Sequence, residues 1–307
     1  MLHVPVLLKE VIEVIMPIDG GRYFDGTMGE GGHARAILDR SSPDGHLAGT
    51  DLDSASISRL TENLKDYGER VHLFNKNFKD IDAVCLMLGW DNLDGILLDL
   101  GMSSAALDDP LRGFSFSLDG PLDMRFSPNA VTDARDVVNE YDEQRLVHIL
   151  KTYGEERFAK RIARRVIDSR PINTTSELAR IISSAIPRRF WPAKIHPATK
   201  SFQAIRMEVN GEVSSIEEFL PKAASLLKPG GVMAVISYHS IEDRIVKRFL
   251  SGNPESKVFP RRLPDELPGK GPVLSRLSNK PITPSDQEIL DNPRSRSAHL
   301  RAARRVS

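Results

Sequence analysis

The chain has 307 residues, enough for one large domain or for a medium domain joined to a smaller one. With 40% apolar and 27% charged residues it is typical of a soluble globular protein, and its single cysteine excludes a disulfide framework or a multi-cysteine zinc site. The zero net charge hides an asymmetry, because residues 1–105 carry 9 Lys/Arg against 17 Asp/Glu, whereas residues 145–206 carry 14 against 4.

The N-terminal apolar run VPVLLKEVIEVI is interrupted by Lys9, Glu10 and Glu13, which is not the pattern of a signal peptide. No run approaches the roughly 20 apolar residues that span a bilayer. We therefore expect a cytoplasmic protein with no membrane partner.

Strand-like apolar runs alternate with helical patterns through the first third of the chain. Strands are predicted over 22–25, 46–51, 71–75 and 94–100, and the helices between them over 31–40, 54–66 and 80–88. This alternation predicts an α/β fold whose parallel sheet is covered by helices on both faces.

The turn after the first strand is rich in glycine and reads DGTMGEGGH at 25–33. Glycines let a backbone approach a ligand, and the N-terminus of the following helix offers free N–H groups. Asp51 ends the second strand, where an acid suits hydrogen bonding to a ribose diol, and Asp99 ends the fourth. Phe78 follows the third strand and could pack on a purine ring or in the core. Together these residues predict a nucleotide-like cofactor.

The strand pattern stops between 107 and 199, where helices are predicted over 136–153, 155–169 and 175–186. A further helix over 213–227, a fifth strand over 231–237 and a long loop over 252–293 follow. We therefore predict a small helical domain inserted into the sheet domain. The predicted boundaries are 1–106 and 200–307 for the sheet domain and 107–199 for the insertion.

The basic excess of the insertion points to a polyanionic partner. On a helix, Arg161 and Arg165 share a face with Arg164 beside them. Either they contact phosphates of a polyanion, or they form an ordinary solvated face that pairs with acids such as Glu155, Glu156 or Asp168.

Two further residues bear on the chemistry. His239 lies just past the fifth strand and could be a base or a packed loop residue. Cys85 lies in an apolar helical run, so we expect an inert core thiol. That argues against methylation of a pyrimidine at carbon 5, which needs a cysteine nucleophile.

Several long runs resemble the RsmH (MraW) family of bacterial S-adenosylmethionine-dependent 16S rRNA methyltransferases. The most specific are DGPLDMRF at 119–126 and HPATKSFQAIRMEVNGE at 196–212, and others include HVPVLLKE at 3–10, DGILLDLGMSS at 94–104, SYHSIEDRIVKRF at 237–249 and NPRSRSAHLRAA at 292–303. The resemblance covers almost the whole length.

The resemblance implies a Rossmann-like class I methyltransferase sheet, interrupted by a helical domain that helps to seat RNA. It implies S-adenosyl-L-methionine as cofactor, no metal, and N(4)-methylation of a decoding-centre cytidine of 16S rRNA within the small ribosomal subunit. The cofactor contacts that it implies are Gly31, Gly32, His33, Asp51, Phe78 and Asp99. The family often has a polar cofactor contact where this chain has Ala106, so a contact there would come from the backbone.

The reaction moves a methyl group from a sulfonium to an exocyclic amine, and alignment of the two supplies much of the barrier reduction. Asp99, Asp123 and His239 are the candidate proton acceptors, and the sequence leaves open which of them, if any, acts as a general base. It also leaves open the oligomeric state and the timing of methylation. A nucleotide-dependent dehydrogenase is the alternative enzyme, although the loop lacks the G-x-G-x-x-G spacing. A non-catalytic RNA-binding assembly factor is the third hypothesis.

Overall fold

The structure is a computed structural model and describes residues 5–102, 104–251 and 274–306. The chain forms two compact units, one made of Met1–Gly101 with Val213–Ser307 and the other of Met102–Glu212. The second unit extends beyond the predicted insertion of 107–199 at both ends. At its C-terminal end this happens because Phe202 and Ile205, on the helix Thr199–Asn210, are buried in the core of the insertion.

A seven-stranded sheet with the order β3-β2-β1-β4-β5-β7-β6 organises the first unit. Its strands are β1 (Arg22–Asp25), β2 (His46–Thr50), β3 (Val71–Phe74), β4 (Leu93–Asp99), β5 (Leu227–Ser237), β6 (Leu274–Arg276) and β7 (His299–Arg305). The first five are parallel, and β7 runs antiparallel to both β5 and β6. This arrangement confirms the predicted α/β fold with a Rossmann-like sheet.

The strands that were predicted from the sequence are those whose burial gives them a clear apolar run. β4 is almost wholly buried, as expected of a central parallel strand, and its apolar run marked it clearly. β7 was not predicted because its sequence HLRAARR mixes small residues with arginines, shows no regular alternation and has no β-branched residue. The predicted loop over 252–293 falls partly outside the described residues, and its described part contains β6 and a short helix.

The helices of the first unit cover the sheet. Their bounds are α1 (Leu8–Ile15), α2 (Gly32–Arg40), α3 (Ser54–Asn63), α4 (Ile81–Leu88), α11 (Glu212–Leu226, whose first residue belongs to the second unit), α12 (Ser240–Leu250) and α13 (Asp286–Asp291). Val11 and Ile15 of α1 are buried, so the N-terminal apolar run forms an amphipathic helix packed on the core.

The second unit is helical and has its own core. It contains α5 (Ser104–Asp108), α6 (Ala134–Glu140), α7 (Glu143–Thr152), α8 (Ala159–Asp168), α9 (Thr175–Ala185) and α10 (Thr199–Asn210). The predicted helix 136–153 is two helices, because Asp142 caps a new one by accepting the N–H of Arg145. The predicted helix 155–169 begins at Ala159, since Glu155 has a φ of 48°.

Within the described ranges, none of the helices combines the length and the apolar character that crossing a membrane requires.

Candidate functional site

Three aspartates mark the same edge of the sheet. Asp25 ends β1, Asp51 directly follows β2 and Asp99 ends β4. Because these strands are parallel, their carboxyl ends meet at one edge, and the chain order reverses there between β1 and β4. Open α/β sheets bind their ligands in the crevice at such a reversal point.

The glycine-rich loop after β1 is tied to the neighbouring strands. Gly26 donates its N–H to Leu97 O at 2.9 Å, and Thr27 Oγ1 accepts the N–H of Asp99 at 2.6 Å. Met28 donates to Thr50 O of β2 at 3.2 Å. These bonds fix the position of the loop across the crevice relative to the ends of the strands. A preorganised binding site requires such a fixed position.

The glycines of this loop are needed for different reasons. A Cβ on Gly31, whose φ is +79°, would lie 2.7 Å from Leu60 Cδ2, and one on Gly32 would lie 2.1 Å from Pro5 Cγ. Internal packing therefore requires glycine at both positions. Gly29, with a φ of +50°, has nothing within 4 Å of its Cβ position, so it is the loop glycine that faces open space.

The N-terminus of α2 is a second feature of the crevice. Its N-cap residue, Gly31, provides no side-chain cap for the first N–H groups. Gly32 and His33 are the first two residues of this helix, and His33 is buried. Binding through these backbone groups stays a prediction.

Asp51 is well placed and has spare hydrogen-bonding capacity. Its Oδ1 accepts the N–H of Asp53 at 2.9 Å and its Oδ2 that of Gly29 at 3.3 Å. A carboxylate has about four acceptor positions, so acceptor capacity remains for a ligand hydroxyl. Burial raises the pKa of Asp51 above its ordinary value.

Asp25 is a site residue to which the sequence analysis assigned no role. It is 1% exposed and accepts the N–H of Thr27 at 3.0 Å. Burial, followed by repulsion from Asp99 and Asp51, raises the pKa of Asp25 to about 8. The signal that could have identified it is an acid at the end of an otherwise buried strand, next to the loop.

Asp99 is held in place from several sides. Tyr238 donates its hydroxyl to the Asp99 carboxylate, Gly101 donates its N–H at 3.4 Å, and His33 Nε2 lies 3.8 Å from Oδ2. Burial raises the pKa of Asp99 to about 6. The group is therefore ionised at neutral pH and more basic than an ordinary aspartate.

His239 is the N-cap of α12. Its Nδ1 accepts the N–H of Glu242 at 3.4 Å, while Glu242 Oε2 accepts the N–H groups of His239 and Tyr238. His239 Nε2 also lies 2.8 Å from Glu242 Oε1, at a hydrogen-bonding distance but without the angle of one. These contacts give His239 a structural role in starting the helix.

Phe78 and Ala106 lie in different units. Phe78 is half-buried beside the loop and packs edge-on against Phe219, with the ring centroids 5.4 Å apart. Ala106 lies in α5 and is half-buried against the helical core. Cofactor contact by either residue stays a prediction.

Asp123 and the arginine cluster belong to the helical unit. Asp123 forms a salt bridge with Arg125 at 2.7 Å, and although burial acts to raise it, the Arg125 hydrogen bonds hold the pKa of Asp123 below its ordinary value. Arg161, Arg164 and Arg165 are exposed on α8. Arg164 pairs with Glu143 at 3.0 Å, whereas no ion pair of Arg161 or Arg165 occurs in the described part of the chain.

Cys85 is buried in α4, and burial raises the pKa of its thiol to about 11. A thiol that is protonated at neutral pH and shielded from solvent is a poor nucleophile. The structure thus gives Cys85 the environment of a core residue.

Comparison with known proteins assigns a family. A family model described as the MraW methylase family matches residues 1–306. The chain is 46% identical over 304 residues to "Ribosomal RNA small subunit methyltransferase H" of Dehalococcoides mccartyi, covering 99% of this chain and 86% of that protein. It is also 46% identical over 307 residues to the protein of the same name from Geobacter sulfurreducens, covering 99% of each.

Among solved structures, an rRNA methylase from Streptococcus thermophilus aligns with all of this chain and 99% of its own, at 10% identity and a TM-score of 0.45. That similarity is too low to add to the assignment.

Proposed function

The chain belongs to the MraW methylase family, and we propose that it methylates the exocyclic amine of a decoding-centre cytidine of 16S rRNA in the cytoplasm, using S-adenosyl-L-methionine. The product would be N(4)-methylcytidine in the small ribosomal subunit. The observation that carries this proposal is the crevice between β1 and β4, in a chain whose relatives are named as small-subunit rRNA methyltransferases.

The crevice fits a cofactor with a ribose and a positive charge. Asp51 has a free acceptor position for a ribose hydroxyl, and Gly29 leaves open space above the loop. Asp99, which is ionised at neutral pH, supplies a negative charge at this edge of the sheet, as a sulfonium ligand would need, whereas Asp25 with its pKa of about 8 is mostly protonated there. Gly31, Gly32, His33 and Phe78 complete the set of proposed contacts. The cofactor would supply an activated methyl group.

The protein's own contribution is alignment of the target amine and acceptance of its proton. The amine lone pair of cytosine is delocalised into the ring, so a nearby hydrogen-bond acceptor favours the pyramidal form that reacts. Of the three candidate acceptors, Asp123 is committed to Arg125 and His239 caps α12. We propose Asp99 as the acceptor, because its raised pKa of about 6 makes it more basic than an ordinary aspartate.

The proposed role of Asp99 is tested with Asp99→Asn, which keeps the shape and the hydrogen bond from Gly101. If Asp99 accepts the proton, kcat measured at saturating cofactor falls by about 100-fold or more, and affinity for S-adenosyl-L-methionine falls as well because the variant lacks the negative charge near the sulfonium. A loss of affinity with kcat preserved would make Asp99 a cofactor contact only. Unchanged kinetics would exclude both roles.

The proposed reaction is tested with small subunits from cells that lack this protein. Purified protein should transfer a radiolabelled methyl group to their 16S rRNA, and mass spectrometry of the digested RNA should identify N(4)-methylcytidine. RNA binding without transfer would favour a non-catalytic assembly factor. Calorimetry should show binding of S-adenosylhomocysteine and none of NADH, and the reverse would favour a dehydrogenase.

A further inference from the structure

A second feature of the helical unit lies beyond the C-terminal end of α9. The chain leaves the helix at Ile186, makes a short 3-10 turn over Arg188–Phe190 and continues as an extended segment at Trp191. A cavity of about 540 Å³ opens here. The side chains that matter in its lining are Arg180, Ser183, Ser184, Arg188, Trp191 and His196.

Trp191 presents a rigid aromatic surface at this cavity. The residue is 41% exposed, which is unusual for so large an apolar side chain, yet its Nε1 donates to Ile186 O at 3.0 Å. This bond fixes the indole to the end of α9. An exposed aromatic ring held in one orientation can stack on a planar partner at little entropic cost.

The surroundings of Trp191 are basic. From residue 178 to residue 207 the chain has six Lys/Arg and no Asp/Glu. The Arg188 guanidinium lies 5.9 Å from the Trp191 ring centroid, and Arg180 lines the same cavity. Neither arginine forms an ion pair with a carboxylate in the described parts of the chain, so both positive charges are available to an anion.

The polar groups of the lining have defined hydrogen-bonding roles. Ser183 Oγ donates to Ala179 O and Ser184 Oγ to Ile181 O, each at 2.7 Å, so their free lone pairs can only accept. His196 Nδ1 accepts the N–H of Ala198 at 3.2 Å, which leaves Nε2 as a donor. Arginines would contact a phosphate, and the serine oxygens would accept from a sugar hydroxyl or a base amine.

We propose that this cavity is a second RNA subsite, which binds one unpaired nucleotide with its base stacked on Trp191 and its phosphate between Arg180 and Arg188. The inference rests on the proposed function for the identity of the polymer, because a stacking face with unpaired arginines fits single-stranded nucleic acid in general. An A-form duplex presents its bases already stacked, so the occupant is a single-stranded segment of the rRNA.

The fluorescence of Trp191 can report on binding in this cavity. The chain has two tryptophans, and Trp90 is only 9% exposed, so Trp90→Phe leaves one indole that reports on the cavity. Adding a short single-stranded RNA should quench this fluorescence as the base stacks. A matched RNA duplex of the same length should quench much less.

Variants separate stacking from charge. In filter binding, Trp191→Ala should weaken the single-stranded RNA by at least about fivefold, whereas Trp191→Phe, which keeps a stacking face, should recover most of the affinity. Arg180→Glu with Arg188→Glu should lower the slope of log affinity against log salt by about one unit, because the two arginines share one phosphate. Arg59→Glu, an exposed arginine on α3, is the matched control and should change nothing.

Failure of this inference can be told apart from failure of the proposed function. If the unaltered protein methylates small-subunit rRNA while Trp191→Ala binds RNA normally, the subsite is wrong and the function stands. If single-stranded RNA quenches Trp191 but no methyl group is transferred, the subsite stands without the proposed reaction. Equal quenching by free phosphate would assign the cavity to an anion instead of a nucleotide.

Discussion

At the scale of single residues, Asp51 gives the most direct test of the cofactor site. Asp51→Ala removes a charged acceptor that is expected to hold a ribose hydroxyl, and such bonds contribute about 1.5–3 kcal/mol each. Affinity for S-adenosylhomocysteine, measured by calorimetry, should fall at least about tenfold. Asp51→Asn keeps an acceptor for the N–H of Asp53 and should lose less. Unchanged affinity in Asp51→Ala would remove this residue from the site.

Asp25 couples folding stability to pH, because its pKa in the folded protein is about 8 against an ordinary value of 3.8. The folded state keeps a proton that the unfolded chain releases. The stabilisation associated with this protonated group is therefore fully present below about pH 4 and is lost as pH rises through 8.

We expect Asp25→Asn, whose amide oxygen can still accept the N–H of Thr27, to remove this dependence. We would measure the free energy of unfolding of the cofactor-free protein in urea. As pH rises from about 5 to about 8, this free energy should fall for the wild type relative to that of the variant. Asp66→Asn, at an exposed position, is the control. Parallel curves for wild type and Asp25→Asn would contradict the assignment.

At the scale of elements, two glycines separate the packing of the loop from its binding role. Gly29→Ala and Gly31→Ala both place an alanine at positive φ, at a cost of roughly 1–2 kcal/mol. Only Gly31→Ala also displaces Leu60. We expect thermal unfolding to show that Gly31→Ala loses more stability than Gly29→Ala. Relative to its loss of stability, Gly29→Ala should lose more cofactor affinity than Gly31→Ala does, as measured by calorimetry. Equal effects on both properties would mean that the loop acts only as a packing element.

The exposed face of α8 carries the prediction for RNA phosphates. Changing Arg161, Arg164 and Arg165 together to Glu should weaken binding of small-subunit RNA and flatten its salt dependence by about one unit for each phosphate that is no longer neutralised. Cofactor affinity should barely change. Arg164 is already paired with Glu143, so Glu143→Gln serves as a control that frees one cation. An unaltered salt slope in the triple variant would make this an ordinary solvated helix face.

At the scale of the whole molecule, the features that could be predicted from the sequence are those marked by the pattern of apolar residues. The five parallel strands, Asp51 and Asp99 at strand ends, and an inserted helical segment all followed from runs and spacing. What patterning does not encode was missed: the split of one helix at the Asp142 cap, the strand β7, and the buried acid Asp25. β7 and the burial of Asp25 depend on tertiary pairing and desolvation, which are not local properties of the chain, whereas the Asp142 cap is a local signal that apolar periodicity does not reveal.

The place of β7 in the sheet has a consequence for biosynthesis. β7 comprises His299–Arg305 but lies between β5 and β6, so every other strand leaves the ribosome before it does. Met102–Glu212, by contrast, is continuous and can complete its core early. A nascent chain therefore has a folded helical unit and a β5 edge that stays open until β7 has left the ribosome. During this interval the protein is most exposed to aggregation.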